Sequence, residues 1–459
     1  MLHVYDSLRR EKVPFEPREP GRVSMYVCGP TVYDTPHVGH ARMAVVFDVI
    51  RRYLVWAGND VTFVSNVTDI DDNIIDRAAR EGRTEPEVAA EYAAIYADEM
   101  RSLDVLDPDQ SPHATQYVDG MIAFIEELIA RDAAYVVEGR GVYFDVDAPE
   151  HYGTLVGRSR DELAEGAGTR VDVDEAKRSP LDFALWKAAK EGEPTWDTPW
   201  GPGRPGWHTE CVAMSLSILG DGFDMHGGGN DLVFPHHENE LAQASAADHA
   251  FARYWLHNGM VNIDGEKMSK SLGNFTTLAD ILEQFDPRAL RLVMLQTHYR
   301  RSMEISADAL DAATEGVKRV DALQRRLVGA GVEVEVDGHD RDADAVARFS
   351  EAMDDDFSTP GAVDVIFGLV RRANMALDAD DADTAAAAAA TAFELAGALG
   401  LRVGPTGAGD DSDIDELVAA RTAARANRDF AESDRIRDEL VARGIVVEDT
   451  ATGTIWHRE

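Results

Sequence analysis

Apolar positions recur along this chain in two periods. Val23 to Val27 concentrates β-branched and aromatic residues and reads as a strand. Beyond it Met43, Val46, Phe47, Val49, Ile50, Tyr53 and Leu54 return at three- and four-residue steps, which predicts an amphipathic helix from about His40 to Trp56. Val61 to Val67 then alternates as a second strand. Strand, helix and strand in this order form a parallel crossover unit, and ligands of such sheets sit beyond the carboxyl ends of the strands. The acidic stretch at 69–72 fits a helix start, where Asp is favourable. Thr84 with Glu87 has capping-box spacing and opens a helix to Arg101, and another helix runs from Tyr117 to Arg131.

The region from Val142 to Pro199 mixes glycine, proline and charge and interrupts this pattern. Sheet-like text resumes near Trp207, and His226-Gly-Gly-Gly-Asn230-Asp231 reads as a glycine loop at a strand end. Helices follow over Leu278–Leu282, Arg288–Leu295, Ser306–Leu327 and 343–377, the last broken at Ser358–Gly361. The Ala385–Ala390 run has no apolar stripe and is expected as a low-complexity helix near the surface. Gly404 to Ser412 reads as a linker. Two helices, Ile414–Ala426 and Asp429–Arg443, a stop at Gly444 and a small hairpin of Ile445–Val447 with Thr454–Trp456 complete the chain. The expected fold class is α/β. A Rossmann-type parallel sheet split by an insertion comes first, then a helical bundle, then a small α/β C-terminal module. The length of 459 residues suits about three domains.

Candidate chemistry gathers between the first strand and its helix, in Cys-Gly-Pro-Thr-Val-Tyr-Asp-Thr-Pro-His-Val-Gly-His at 28–40. Gly39 lets backbone come close to a ligand where free amides and the positive end of the helix dipole meet an anion. His37 and His40, one turn apart, add donors, so a phosphate or pyrophosphate is the natural occupant. Paired histidines are also ordinary surface groups, and the lysines change the balance. The chain has only seven Lys against 38 Arg, and two of the seven are Lys267 and Lys270 in Lys-Met-Ser-Lys-Ser-Leu-Gly-Asn. Lysine is a mobile point charge suited to a leaving pyrophosphate, and Ser269, Ser271 and Gly273 give a loop able to close over ATP.

His-Val-Gly-His at 37–40 resembles the first signature of class I aminoacyl-tRNA synthetases, and Lys-Met-Ser-Lys-Ser at 267–271 resembles the second. The stretches at 25–34, 206–211 (Gly-Trp-His-Thr-Glu-Cys) and 234–240 (Phe-Pro-His-His-Glu-Asn-Glu) are similar to the cysteinyl-tRNA synthetases in particular. The resemblance covers nearly the whole chain. It implies ATP-dependent attachment of L-cysteine to cysteine tRNA through a cysteinyl adenylate, with ATP entering as its Mg2+ complex.

From spacing alone, His236 and Glu240 lie four apart on one helix face, and with Cys28 and Cys211 they make an S₂NO set that suits tetrahedral zinc. A surface helix pair and two inert buried thiols are the plain alternatives. The resemblance assigns Cys28, Cys211, His236 and Glu240 as ligands of one Zn2+. It further implies Gly29, Thr68 and Trp207 around the substrate cysteine. On the ATP side it implies His37, Gly39, His40, His226, Gly227, Gly228, Lys267 and Lys270, with His37, His40, Lys267 and Lys270 carrying the catalysis; His237 belongs to the surroundings of the metal or to the phosphate side. The metal has a physical reason: size alone separates cysteine from serine poorly, whereas zinc prefers a thiolate to a hydroxyl.

The implied layout is a catalytic domain at 1–115 and 200–265 and an insertion at 116–199. A lysine-loop and stem-contact region at 266–315, a helical tRNA-binding bundle at 316–403 and an anticodon-binding module at 412–459 follow. Arg421, Arg425, Arg428, Arg435 and Arg437 make that last module locally basic, which suits RNA contact and a solvated face paired with Asp and Glu equally.

Charge qualifies the picture. A formal charge of −39, from 84 acidic against 45 basic residues, argues by itself against a polyanion partner. Scarce Lys and abundant Asp instead point to a protein adapted to high salt, as in a halophile, where screening quenches self-repulsion. The start has no apolar leader and no apolar run is long enough for a membrane span, so a cytoplasmic protein without membrane contact is expected. Two cysteines exclude a disulfide framework. Two rivals remain: a ligase passing cysteinyl adenylate to an amino sugar, and a non-catalytic zinc-containing RNA-binding paralogue. The tail at 412–459 argues against the first and the intact signatures against the second.

Overall fold

The computed structural model describes residues 1–167, 177–262, 277–334, 341–402, 412–426, 429–443, 445–449 and 454–458. The chain divides into two compact units. The first comprises Met1–Glu283, Thr297–Ser306 and Met353–Thr359.

At its centre lies a parallel sheet with strand order Tyr254–Asn258, Met225–Gly229, Arg22–Val27, Asp60–Ser65. Val23, Met25, Tyr26 and Val27 are all buried, as they must be in a strand covered on both faces. Helix Val38–Trp56 is the crossover and buries Val45, Val46, Phe47, Val49, Ile50, Tyr53 and Leu54, close to the stripe its periodicity predicts. The earliest strand is internal: the chain passes to one side of it for Asp60–Ser65 and later to the other for Met225–Gly229. The switch point is therefore the carboxyl ends of Arg22–Val27 and Met225–Gly229, where the Cys28 N–H donates to the Gly227 carbonyl at 3.2 Å.

One expectation for this sheet needs correction. The triple glycine is no loop at a strand end but the strand Met225–Gly229 itself, buried along its length. Gly227 has no room for a Cβ because the Phe47 ring of the crossover helix takes that place.

The stretch that interrupts the parallel pattern forms a separate antiparallel sheet of four strands. Its order is Ala134–Val137, Gly141–Phe144, Phe183–Ala188, Gly203–Pro205. Val142, Phe144, Leu185 and Trp186 join the same apolar core as Tyr26, Cys28 and Cys211. The expected capping box opens helix Glu85–Ser102, with Thr84 and Glu87 satisfying each other's backbone. Asp71 caps helix Asp72–Glu81 by accepting from the Asn73 N–H at 2.9 Å.

The second unit comprises Gln284–Gln296, Ala307–Ala352 and Pro360–Glu459. Its helices include Pro287–Leu295, Ala307–Gly329, Thr359–Asp378 and Ala382–Ala398. Ala385, Ala386, Ala388, Ala389 and Ala390 are buried, against the expectation of a surface helix. A helix apolar all round has no stripe because every face is covered. Helices Ser412–Ala426 and Phe430–Ala442 pack with the hairpin Ile445–Asp449/Thr454–Arg458 around Ile414, Val418, Ile436, Leu440 and Ile445. Arg435 pairs with Glu432 and Glu439, and Arg437 with Asp434 and Asp438, as on a solvated face. Arg428, Gly444 and the expected linker up to residue 411 lie outside the described residues. Among the described residues no helix is long and apolar enough to cross a membrane.

Candidate active site

The switch point of the sheet is lined by thiols, imidazoles and a carboxylate. Cys28 follows the first strand, Cys211 sits in helix Trp207–Leu219, and His236 and Glu240 flank the junction into helix Glu238–Ala246. All four are buried, and their ligand atoms lie within 4.8 Å of one another. Cys28 Sγ is 3.5 Å from both Cys211 Sγ and Glu240 Oε1, and His236 Nε2 is 3.0 Å from Glu240 Oε1. A tetrahedron with zinc's usual bond lengths has edges of about 3.8 Å between two sulfurs and about 3.3 Å between nitrogen and oxygen. The spacing and the donor set both fit that ion.

A second set, Cys28, His226, His237 and Glu240, is equally compact and shares two members with the first. The two oxygens of Glu240 arbitrate. Oε1 faces Cys28 and His236, whereas Oε2 lies 2.6 Å from His226 Nε2. His226 therefore orients the carboxylate from behind, as outer partners of metal ligands do. His237 Nε2 lies 3.3 Å from Cys28 Sγ, its Nδ1 is 2.8 Å from His257 Nε2, and His257 Nδ1 is 2.7 Å from Ser7 Oγ. Every ring contact of His226 is in this surround too, with Tyr26, Phe223, His237, Phe251 and Trp255.

Burial and the neighbouring Cys211 push the Cys28 thiol well up. Burial also opposes ionisation of Cys211, but the Cys28 hydrogen bond and His236 prevail and bring it down to about 6. Glu240 is held well below the carboxylate range: burial opposes this and His226 and His236 override it.

The residues expected around the amino acid come together beside this cluster. The Gly29 N–H donates to Asn66 Oδ1 at 2.8 Å, Asn66 Nδ2 donates to Thr68 Oγ1 at 3.3 Å, and Thr68 Oγ1 donates to Glu210 Oε2 at 2.8 Å. The Trp207 ring stacks on His236 with centroids 4.0 Å apart. Asn66, Glu210 and His257 were not singled out from the sequence; each is a common polar residue without a spacing that marks it.

On the other side, His37 caps helix Val38–Trp56 and shares a reciprocal capping box with His40, their rings stacked at 3.8 Å. A Cβ on Gly39 would stand 2.8 Å from the His37 ring, so glycine is what allows the stack. Burial and then His37 lower the His40 pKa to about 4, and burial lowers that of His37. Both rings are neutral near pH 7 and offer N–H groups rather than charge. Lys267 and Lys270 lie outside the described residues. The chain that follows them is tied to this corner, for the Leu278 N–H donates to the Pro36 carbonyl at 3.2 Å.

Comparison with known proteins agrees with this geometry. Residues 14–315 match the family model for the catalytic domain of class I (C) tRNA synthetases, residues 348–403 a DALR domain, and residues 409–456 the anticodon-binding domain of cysteinyl-tRNA ligase. Two curated relatives, the cysteine–tRNA ligases of Alkalilimnicola ehrlichii and Halorhodospira halophila, are each 50% identical over the full length of both chains. The chain belongs to the cysteine–tRNA ligase family.

Among solved structures, methionyl-tRNA synthetase of Mycobacterium tuberculosis with methionyl-adenylate aligns at a TM-score of 0.57 and 16% identity, over 82% of this chain and 89% of that one. A leucyl-tRNA synthetase complex from Agrobacterium radiobacter aligns at 0.58 and 12%, over 84% and 87%. At such identities these show the class I synthetase fold alone. In this cysteine–tRNA ligase family member, the outer partners His226, His237 and His208 touch the candidate ligands Glu240, Cys28 and His236, His257 supports His237, and Asn66 and Glu210 tie down the loop at Gly29 and Thr68.

Proposed function

We propose that this protein attaches L-cysteine to cysteine tRNA at the expense of ATP. One observation carries the reading: Cys28, Cys211, His236 and Glu240 converge at the switch point, next to Gly29, Thr68 and Trp207. These four would hold one Zn2+, which when bound supplies a soft Lewis acid that takes a thiolate in preference to a serine hydroxyl. Asn66 and Glu210 keep the Gly29 loop and Thr68 in place around the substrate. The cysteine carboxylate attacks the α-phosphorus of ATP and pyrophosphate departs. His37 and His40, with Gly39 between them, donate neutral hydrogen bonds at the helix start, and His226, Gly227 and Gly228 border the site. Lys267 and Lys270 meet the charge on pyrophosphate. A ribose hydroxyl of the terminal adenosine then takes the acyl group from the adenylate and AMP leaves. Positioning and charge carry the rate, and no covalent nucleophile is needed.

In this reading 1–115 with 200–265 is the catalytic domain, 116–199 the insertion, 266–315 the lysine-loop and stem-contact region, 316–403 the RNA-binding bundle and 412–459 the anticodon module. The protein works in the cytoplasm, and its charge of −39 is an adaptation to salt. The match of 409–456 to an anticodon-binding domain supports the tRNA enzyme over an amino-sugar ligase. The test is charging of cysteine tRNA with cysteine and with serine, before and after zinc is stripped and restored. Loss of cysteine charging on stripping is expected; discrimination that survives without metal would overturn the reading. Lys270→Ala should depress adenylate formation more than cysteine binding.

A further inference from the structure

On a chain with seven lysines and a charge of −39, three of the lysines share one groove. The groove, a cavity of about 740 Å³, runs along the antiparallel sheet and is lined by Arg140, Lys177, Lys187, Lys190 and Arg204. Register brings this about: Lys187 stands opposite Gly141 on one neighbouring strand and Arg204 on the other. Among the described residues Arg140 and Lys177 carry no ion pair. Tyr143 and Phe183 add aromatic faces, and the groove ends at Trp207 and His208, where Trp207 lies on the candidate ligand His236. Cations interleaved with aromatic rings are the chemistry of a single-stranded nucleic acid seat.

One anion already rests there. The Asp72 carboxylate, at the start of helix Asp72–Glu81, bridges Lys187 Nζ at 2.5 Å and the Arg204 guanidinium. Arg204 is nearly buried and also meets Glu193 at 3.3 Å, while the Asp72 side chain keeps half its surface in water. The Lys187 arm of this bridge is exposed and individually weak, and Arg204 keeps Glu193 when Asp72 leaves, so the half-exposed carboxylate can give way to another anion. A phosphate diester offers the same charge and acceptor geometry.

We propose that Asp72 is an internal latch on this groove: it holds the position of an RNA phosphate between Lys187 and Arg204, and the single-stranded 3′ end of the tRNA displaces it on the way to Trp207. The latch rests on the tRNA-charging reading above. On a protein this acidic, it keeps the groove closed to unspecific anions until the rest of the tRNA has docked and raised the local phosphate concentration.

The test is Asp72→Asn in the full-length zinc-loaded protein, with binding of cysteine tRNA measured at several salt concentrations. Tighter binding by about three- to tenfold is expected at every salt concentration, because the same phosphate contact forms without a carboxylate to displace. The gain should vanish on a tRNA trimmed of its unpaired 3′ nucleotides. Cysteine-dependent ATP–pyrophosphate exchange should stay unchanged in Asp72→Asn. Unchanged or weaker tRNA binding would overturn the latch, as would a gain that persists on the trimmed RNA. Weaker binding together with lost exchange would mark Asp72 as a structural clamp. Absence of exchange in the unsubstituted protein would instead refute the charging reading.

Discussion

Two of the polar clusters that the first unit buries, one around Asp356 and one around Cys28, settle their charges in different ways. Asp356 is fully buried and accepts from the Tyr5 N–H and the Tyr299 hydroxyl, each at 2.8 Å, and from Arg300 Nε at 2.6 Å. Its charge is matched inside the protein by Arg300. Asp356 and Phe357 both have left-handed backbone, with φ of 61° and 53°, which costs roughly 1–2 kcal/mol for a residue with a Cβ. Phe357 is held there by Tyr53 and Tyr299 at ring distances of 6.1 and 6.4 Å. Around Cys28, two thiols and a carboxylate converge with imidazoles, and among the described residues no Arg or Lys is in contact with the four candidate ligands. A buried set that contains its own counter-charge is architecture. A buried set of convergent electron-pair donors, its carboxylate faced by imidazoles, is suited to a cation.

The sharpest way to break this contrast is to remove one donor from each cluster. Cys28→Ala should eliminate stoichiometric zinc and lower kcat/KM for cysteine activation by at least about a hundredfold, since even outer partners of a metal are worth 10–100-fold. Metal analysis and ATP–pyrophosphate exchange read both quantities. One zinc per chain with normal exchange would contradict the assignment. Asp356→Ala should leave the zinc content intact and destabilise the first unit by about 3 kcal/mol, the low end for a broken buried pair because Arg300 keeps 32% of its side chain exposed. Urea unfolding followed by tryptophan fluorescence measures it. Loss of zinc in Asp356→Ala would erase the distinction between the two clusters.

The two clusters also differ in how far the sequence discloses them. Cys28, Cys211, His236 and Glu240 stand in extended motif text, so the resemblance alone names the candidate set that the structure draws together. Asp356 is not marked: the sequence shows only a helix break at 358–361, and its partners Tyr5, Tyr299 and Arg300 come from distant segments. Of the four parallel strands two were legible, Arg22–Val27 from its β-branched and aromatic run and Asp60–Ser65 from alternation. Met225–Gly229 reads as a loop instead, and Tyr254–Asn258 raises no strand expectation. The insertion sheet was not legible, since its strands span only three to six residues and one pairing is bulged between Val142 and Tyr143. Glycine and alanine misled in the same direction. The buried strand Met225–Gly229 and the buried helix Ala382–Ala398 use small residues for close approach, and small residues carry little hydrophobic signal.

His37 and His40 offer a third solution, and the smallest expected effect. Their stacked rings are only partly withdrawn from water, His37 the more exposed of the two, and the loss of solvation favours the neutral imidazoles, against a weaker pull from Asp231 on His37. Burial first, and His37 second, bring the folded-state pKa of His40 to about 4, below the 6.5 of an ordinary histidine. Between those values the unfolded chain binds a proton that the native protein does not, so the contribution to stability is complete above pH 6.5 and is lost as pH falls toward 4. His40→Gln keeps a side chain able to reach back to the His37 N–H, as a capping box requires, but cannot titrate. Thermal unfolding at pH 4.5 to 7.5 should therefore show a shallower acid decline in His40→Gln than in the unsubstituted protein. Parallel curves would mean that the ring already carries its proton in the folded state, and that the phosphate corner works by charge instead of neutral hydrogen bonds.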